Sequence, residues 1–223
     1  MRVVTVVHGE NVGPSLFGDV VREHGHSLDT WTPFSGEPFQ DGADAVLIFG
    51  GRMHVSQRDE YPWLLDEHAV MRRLVGGEVP VLGICLGAQL LAHAAGAWVG
   101  EAVYPEQGWA PVELTPAATE DPVFAGLPKR FVSFQSHYQA FAVPEGAVEL
   151  ARNDCCPQAF RLGGHVWAVQ FHPEVTQAQV EGWVAQRDGL ADPEAVVGET
   201  RERIGEWNRI GRTLCEAFLD VAS

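Results

Sequence analysis

The 223-residue sequence predicts an α/β fold with a mostly parallel central sheet, helices on both faces, an antiparallel extension and a C-terminal helical tail. Two observations carry the prediction. Short apolar runs rich in β-branched residues, of the kind buried on both faces of a parallel sheet, recur at 3–7, 43–49 and 79–85. Segments of helical periodicity lie between and after them.

Val3 to Val7 reads as the first strand, and Pro14 opens a helix through His24 with Leu16, Phe17, Val20 and Val21 on one face. Ala43 to Phe49 is a second strand, running into Gly50-Gly51. From Trp63 to Val75 the apolar residues recur at helical spacing, and Gly76-Gly77 stops that helix. The third strand, Val79 to Cys85, passes almost without a loop into a helix over Leu86 to Ala95. Between Val99 and Val148 the pattern changes to short strands broken by proline, glycine and polar turns, read as the antiparallel extension. Ala159–Leu162 and His165–Phe171 form a hairpin across Gly163-Gly164. Asp192-Pro193 then caps a last helix, with Val197, Ile204, Trp207, Leu214 and Phe218 on one stripe. The resulting organisation is one domain over residues 1–190, with the helix of residues 191–223 packed on it; a partner-binding role for that helix is the alternative.

Composition removes several functions. Asp and Glu number 30 against 15 Lys and Arg, a net charge of −15 that disfavours nucleic acid and anionic membranes as partners. No apolar run is long enough to span a bilayer. The N-terminal run is short, strand-like and lacks a small-residue cleavage site, so a cytoplasmic location is expected. Adjacent Cys155 and Cys156 lack the spacing of a zinc site, and free thiols are expected for all four cysteines.

Chemistry concentrates at two places. Gly83-Ile84-Cys85-Leu86-Gly87 sits between a strand and a helix, the context in which a strained turn lifts a nucleophile out of the sheet. The helix N-terminus favours thiolate over thiol, and the Leu86 N–H is placed to receive an oxyanion. A buried, inert cysteine is the plain alternative. Gln170-Phe171-His172-Pro173-Glu174, at the end of the last strand, supplies what such a sulfur needs: an imidazole to carry the proton and a carboxylate to orient it.

At these residues the chain resembles the class I glutamine amidotransferases, the Cys-His-Glu type with a flavodoxin-like three-layer fold. The similarity is carried by VLGICLGAQLLA at 81–92 and VQFHPEVT at 169–176, with support from Gly50-Gly51, EYPWL at 60–64 and DPVFAGLP at 121–128. It runs from about Met1 to Thr176, and the helical tail suits the free-standing members, which are similar to GMP synthase amidotransferase domains. The resemblance implies Cys85 as nucleophile, His172 as general base and acid, and Glu174 as orienting carboxylate. It also implies an oxyanion hole from the Gly51 and Leu86 N–H groups and substrate contact by Gln89. It implies no metal or organic cofactor. Three departures bear on the substrate: Arg52 stands where many members have proline, His54 where a small polar residue is common, and Ser136-His137-Tyr138-Gln139 where the family segment carries an acid. That acid meets the substrate's α-ammonium group; Gln139 is neutral, and Arg52 is suited to a carboxylate.

Three functions compete. One is a glutaminase passing ammonia to a separate synthetase; the second is a stand-alone hydrolase of γ-glutamyl amides or peptides. No ATP-binding G-x-x-x-x-G-K-[ST] loop occurs in the chain, which favours the second or implies a lost partner. The third is a non-catalytic regulatory module, opposed by the intact Cys85, His172 and Glu174.

Overall fold

A computed structural model describes residues 1–186 and 192–223; the boundary expected near residue 190 lies outside the described residues. Among the described residues nine strands form one sheet in the order β2-β1-β3-β4-β9-β8-β7-β5-β6. Its parallel half comprises β1 (Arg2–Val6), β2 (Ser27–Trp31), β3 (Ala45–Ile48), β4 (Val81–Ile84) and β9 (Val166–Val169). Strands β3, β4 and β9 are buried throughout, as their apolar runs require.

The antiparallel half departs from the short strands expected between Val99 and Val148. It is dominated by two long ones, β5 (Val99–Leu114) and β6 (Arg130–Phe141), joined by β7 (Val148–Arg152) and β8 (Pro157–Leu162) to the parallel half. The proline that broke the sequence pattern is absorbed by a bulge: pairing jumps from Glu101–Gln139 to Glu106–His137, so Pro105 needs no ladder partner. Edge strand β2 escaped the sequence reading because only Trp31 among its residues is buried.

Helices α1 (Ser15–Glu23), α4 (Gln177–Ala185) and α5 (Pro193–Ala222) belong to one side of the sheet, and α2 (Leu64–Val75) and α3 (Leu86–Ala94) to the other. Their buried residues form two cores, one containing Phe17, Leu82, Trp167, Trp207 and Phe218, the other Val46, Leu64, Met71, Leu90 and Phe160. Helix α5 starts where Asp192 accepts a hydrogen bond from the Ala195 N–H. It buries Trp207, Leu214 and Phe218 of the expected stripe, while Val196, rather than Val197, reaches the core. Among the described residues no helix is long and apolar enough to cross a membrane.

One contact ties α5 to the segment after β9. A Cβ on Gly211 would run into the carbonyl oxygen of Pro173, so only glycine lets the two backbones touch. Gly205, on the exposed side of the same helix, faces open space. Gly211→Ala is therefore expected to destabilise by about 1–3 kcal/mol through overpacking. Gly205→Ala should instead stabilise by about 0.5–1 kcal/mol through helix propensity. Urea denaturation of both variants checks the pair, and equal effects would contradict this packing.

Candidate active site

The site is built where two neighbouring parallel strands end. Ile84 pairs with Val169, and the Cys85 N–H donates to the Val169 carbonyl at 2.8 Å, so the residues following β4 and β9 emerge side by side. Cys85 itself has φ 53° and ψ −107°, a conformation unfavourable for any side-chain-bearing residue and the mark of a strained strand-to-helix elbow. Close packing enforces it. A Cβ on Gly87 would strike the Ile48 carbonyl oxygen, and one on Gly83 would lie 2.7 Å from the Gly87 carbonyl.

The segment after β9 is pinned at four backbone groups. His172 N–H donates to the Phe134 carbonyl at 2.9 Å, and the Trp207 indole N–H donates to the His172 carbonyl at 2.8 Å. Leu16 N–H reaches the Glu174 carbonyl at 3.1 Å, and the Asn208 side chain reaches that of Val175 at 2.7 Å. Elements from three parts of the chain thus fix the His172–Glu174 pair, whose Nδ1 and Oε1 lie 2.8 Å apart and are buried. The carboxylate fixes Nδ1 as the donor. Among the described residues the other ring nitrogen, Nε2, makes no hydrogen bond to protein.

The Cys85 sulfur lies within electrostatic reach of that ring. Burial alone would pull the imidazole down; Glu174 and the Cys85 sulfur outweigh it and raise it to about 10. A Cβ on Gly50 would lie 3.1 Å from His172 Cε1 and 3.6 Å from Cys85 Cβ, so the Gly50 backbone closes over both. Trp183 of α4 packs edge-on against His172, with ring centroids 5.0 Å apart.

Cys85 and His172 open on a cavity of about 420 Å³, in the range of small-molecule sites. Gly51, Arg52, His54, Gln89, His137 and Gln139 line it as well, and Leu86 opens α3 beside Cys85. Neither the Gly51 nor the Leu86 N–H donates to a protein acceptor among the described residues. Gln89 spends its amide N–H groups on the Gln139 carbonyl and Gln170 Oε1, both at 3.2 Å, and so offers a ligand its oxygen. His137 is buried with both nitrogens engaged, Nδ1 with the Gln139 carbonyl at 2.9 Å and Nε2 with Glu106 at 3.1 Å. Arg52 is exposed at the rim. The sequence reading missed Trp183 and Gln186, which also line the cavity, because α4 carries too few buried apolar residues to show helical periodicity: only Val180 is buried. The four cysteines are free, and the Cys155 and Cys156 thiols are pushed up chiefly by burial.

The fold and a cysteine at a strand-to-helix elbow beside a buried His–Glu pair define an amidotransferase-type α/β protein. The profile of the glutamine amidotransferase class-I family matches residues 21–185, and the chain belongs to that family. It is 39% identical over 178 residues to the glutamine-hydrolysing GMP synthase of Thermomicrobium roseum, covering 72% of this chain and 31% of that protein. The chain therefore spans about a third of the length of that synthase. It is 29% identical over 201 residues to the glutamine amidotransferase-like protein YfeJ of Salmonella typhimurium, covering 86% of this chain and 84% of the other. A crystal structure of a Thermotoga maritima glutamine amidotransferase superposes with a TM-score of 0.90 at 28% identity, over 99% of this chain and 98% of that one. These likenesses make the fold flavodoxin-like, as expected.

The raised imidazole makes a prediction. In the unfolded chain His172 titrates near 6.5, in the folded protein near 10. Its folded pKa is the higher one, so its contribution to stability is whole below pH 6.5 and is lost as pH rises through about 10. Denaturation of wild type and His172→Gln across that window should show the gap between them narrowing as pH rises. A gap independent of pH would contradict the assignment.

Proposed function

We propose that the protein hydrolyses the side-chain amide of glutamine through a glutamyl thioester on Cys85. The observation that carries this reading is the burial of His172 between the Glu174 carboxylate and the Cys85 sulfur at the mouth of the cavity.

In this reaction the thiol proton sits on His172 and the sulfur attacks the amide carbon. The oxyanion forms against the Gly51 and Leu86 N–H groups. His172 then delivers its proton to the leaving nitrogen, ammonia departs, and the thioester forms. Water, its proton taken by His172, hydrolyses the thioester and frees glutamate. Glu174 holds the ring in one tautomer throughout and favours its charged form. Gln89, Gln139 and Arg52 serve as substrate contacts, Gln89 through its side-chain oxygen, and His137, its ring nitrogens held by Gln139 and Glu106, bounds the same pocket. No step calls for a metal or an organic cofactor.

Two further parts of the reading follow from likeness and packing. GMP synthases join glutamine hydrolysis to synthesis, as their name states, and a separate ammonia-accepting synthetase is the partner this reading supplies. Helix α5 belongs to the same catalytic unit as the sheet, because Trp207 and Gly211 hold the His172 segment. Four unpaired cysteines support a reducing, cytoplasmic setting.

One observation favours the second reading, a stand-alone hydrolase of γ-glutamyl amides or peptides. Among the described residues the cavity is lined by Arg52 and His54 and by no Asp or Glu, so a substrate with an additional carboxylate finds a partner there.

Release of glutamate from glutamine and from a panel of γ-glutamyl amides and peptides decides between the two. Glutamine as the best substrate supports the amidotransferase reading, and a γ-glutamyl peptide as the best supports the second. Cys85→Ala should lower turnover more than about a thousandfold and Glu174→Gln roughly a hundredfold. Retained turnover in Cys85→Ala would overturn both readings.

A further inference from the structure

The Gly50-Gly51 segment must present an N–H to the site, yet nothing in it fixes which way its peptide faces. The last sheet-type bond of β3 is Phe49 N–H to the Val6 carbonyl, at 3.0 Å. Beyond it come two glycines with no side chain to lock the backbone, and the site tolerates none: a Cβ on Gly50 would crowd His172, and one on Gly51 would lie 2.7 Å from Leu86 Cδ2 and 2.9 Å from His8 Cβ. The orientation has to be imposed from outside.

A buried pair stands in the place to do so. His8, two residues past β1, sets its Nδ1 3.0 Å from the Gly50 carbonyl and its Nε2 2.6 Å from Oε1 of Glu67 in the first turn of α2. Both side chains are fully buried. Both ring nitrogens face oxygen atoms, and with Glu67 ionised both donate, which is the imidazolium form. Burial lowers this imidazole, but the Glu67 charge and the hydrogen bonds to Glu67 and Gly50 outweigh it and raise it, in agreement with that form. Trp63 stacks beside the ring with centroids 6.2 Å apart. A buried ion pair of this kind is seldom favourable to stability for its own sake.

We infer that His8, charged and held by Glu67, is a positioning residue: by gripping the Gly50 carbonyl it turns the Gly51 N–H toward the oxyanion that forms above Cys85. In a trans peptide the C=O and N–H point in opposite directions, so a carbonyl fixed on His8 sends the N–H to the other side. There Gly51 lines the same cavity as Cys85. A rotated peptide would instead put a carbonyl oxygen against the developing negative charge. This inference rests on the proposed amide hydrolysis for its kinetic consequence, though not for its structural one.

The test uses His8→Ala and His8→Asn in the full chain. Asparagine keeps an N–H near the position of Nδ1 and so can still donate to Gly50. Glutamine turnover in His8→Ala should fall about 10- to 100-fold in kcat, less than or equal to the loss of one oxyanion donor, with KM changed by less than about twofold. His8→Asn should recover roughly tenfold of that loss. Alkylation of Cys85 by iodoacetamide, which forms no oxyanion, should keep its wild-type rate in both variants. Unchanged kcat in His8→Ala overturns the inference, as does an asparagine variant no better than alanine. So does a parallel fall in kcat and alkylation, which would mean a role in packing alone. A crystal structure of His8→Ala tests the geometry without turnover: a rotated 50–51 peptide is expected, and one in the wild-type orientation would overturn the proposal. If the wild-type protein releases no glutamate from any γ-glutamyl compound, the functional reading fails and the crystal structure still decides this one.

Discussion

Everything at the site depends on the parallel pairing of β4 with β9. The two strands are distant in sequence and adjacent in space, with Val81 to Ile84 in register with Val166 to Val169. That register sets the sulfur, one residue past β4, beside the imidazole, three residues past β9. A slip of one residue would turn Cys85 and its neighbours to the opposite face. The register is held by close packing: a Cβ at Gly83 would lie 2.7 Å from the Gly87 carbonyl, so a slip that put a residue with a side chain there would clash.

The chain spends stability at this point and recovers it nearby. A strained backbone such as that of Cys85 costs on the order of 1–3 kcal/mol, and a buried imidazole–carboxylate pair adds desolvation. The surroundings offset both: the glycines on either side of Cys85 pack against backbone, and four hydrogen bonds hold the His172–Val175 segment from β6, α1 and α5. Helix α5 is thus more than a cover for the sheet. Through Trp207 and Gly211 it sets the height of the imidazole over the elbow, and this explains why a helix so far along the chain bears on the chemistry.

Legibility followed burial. The parallel strands could be read because full burial demands apolar runs, and the elbow because its glycines are required at fixed spacing. The QFHPE motif could be read because a tightly turned segment keeps its polar residues in one short stretch. Strand β2 and helix α4 could not: SLDTW buries only its tryptophan, and α4 only Val180, so neither shows a period. The length of β5 and β6 was hidden by Pro105, which sequence rules treat as a break and the fold absorbs in a bulge. His8 and Glu67 were invisible for a different reason. One is a lone histidine after a strand, the other an acid in a helix's first turn, where acids are common for their effect on the dipole. Only the fold brings them within 2.6 Å.

The central claim is that Cys85 carries the acyl group. Acid quenching during turnover of glutamine, followed by mass spectrometry of the peptides, tests it most directly. The account predicts a glutamyl adduct on the peptide that contains Cys85, chased away by continued hydrolysis and absent from Cys85→Ala. Turnover with no adduct on Cys85 under any quench, or an adduct on another residue, would contradict it.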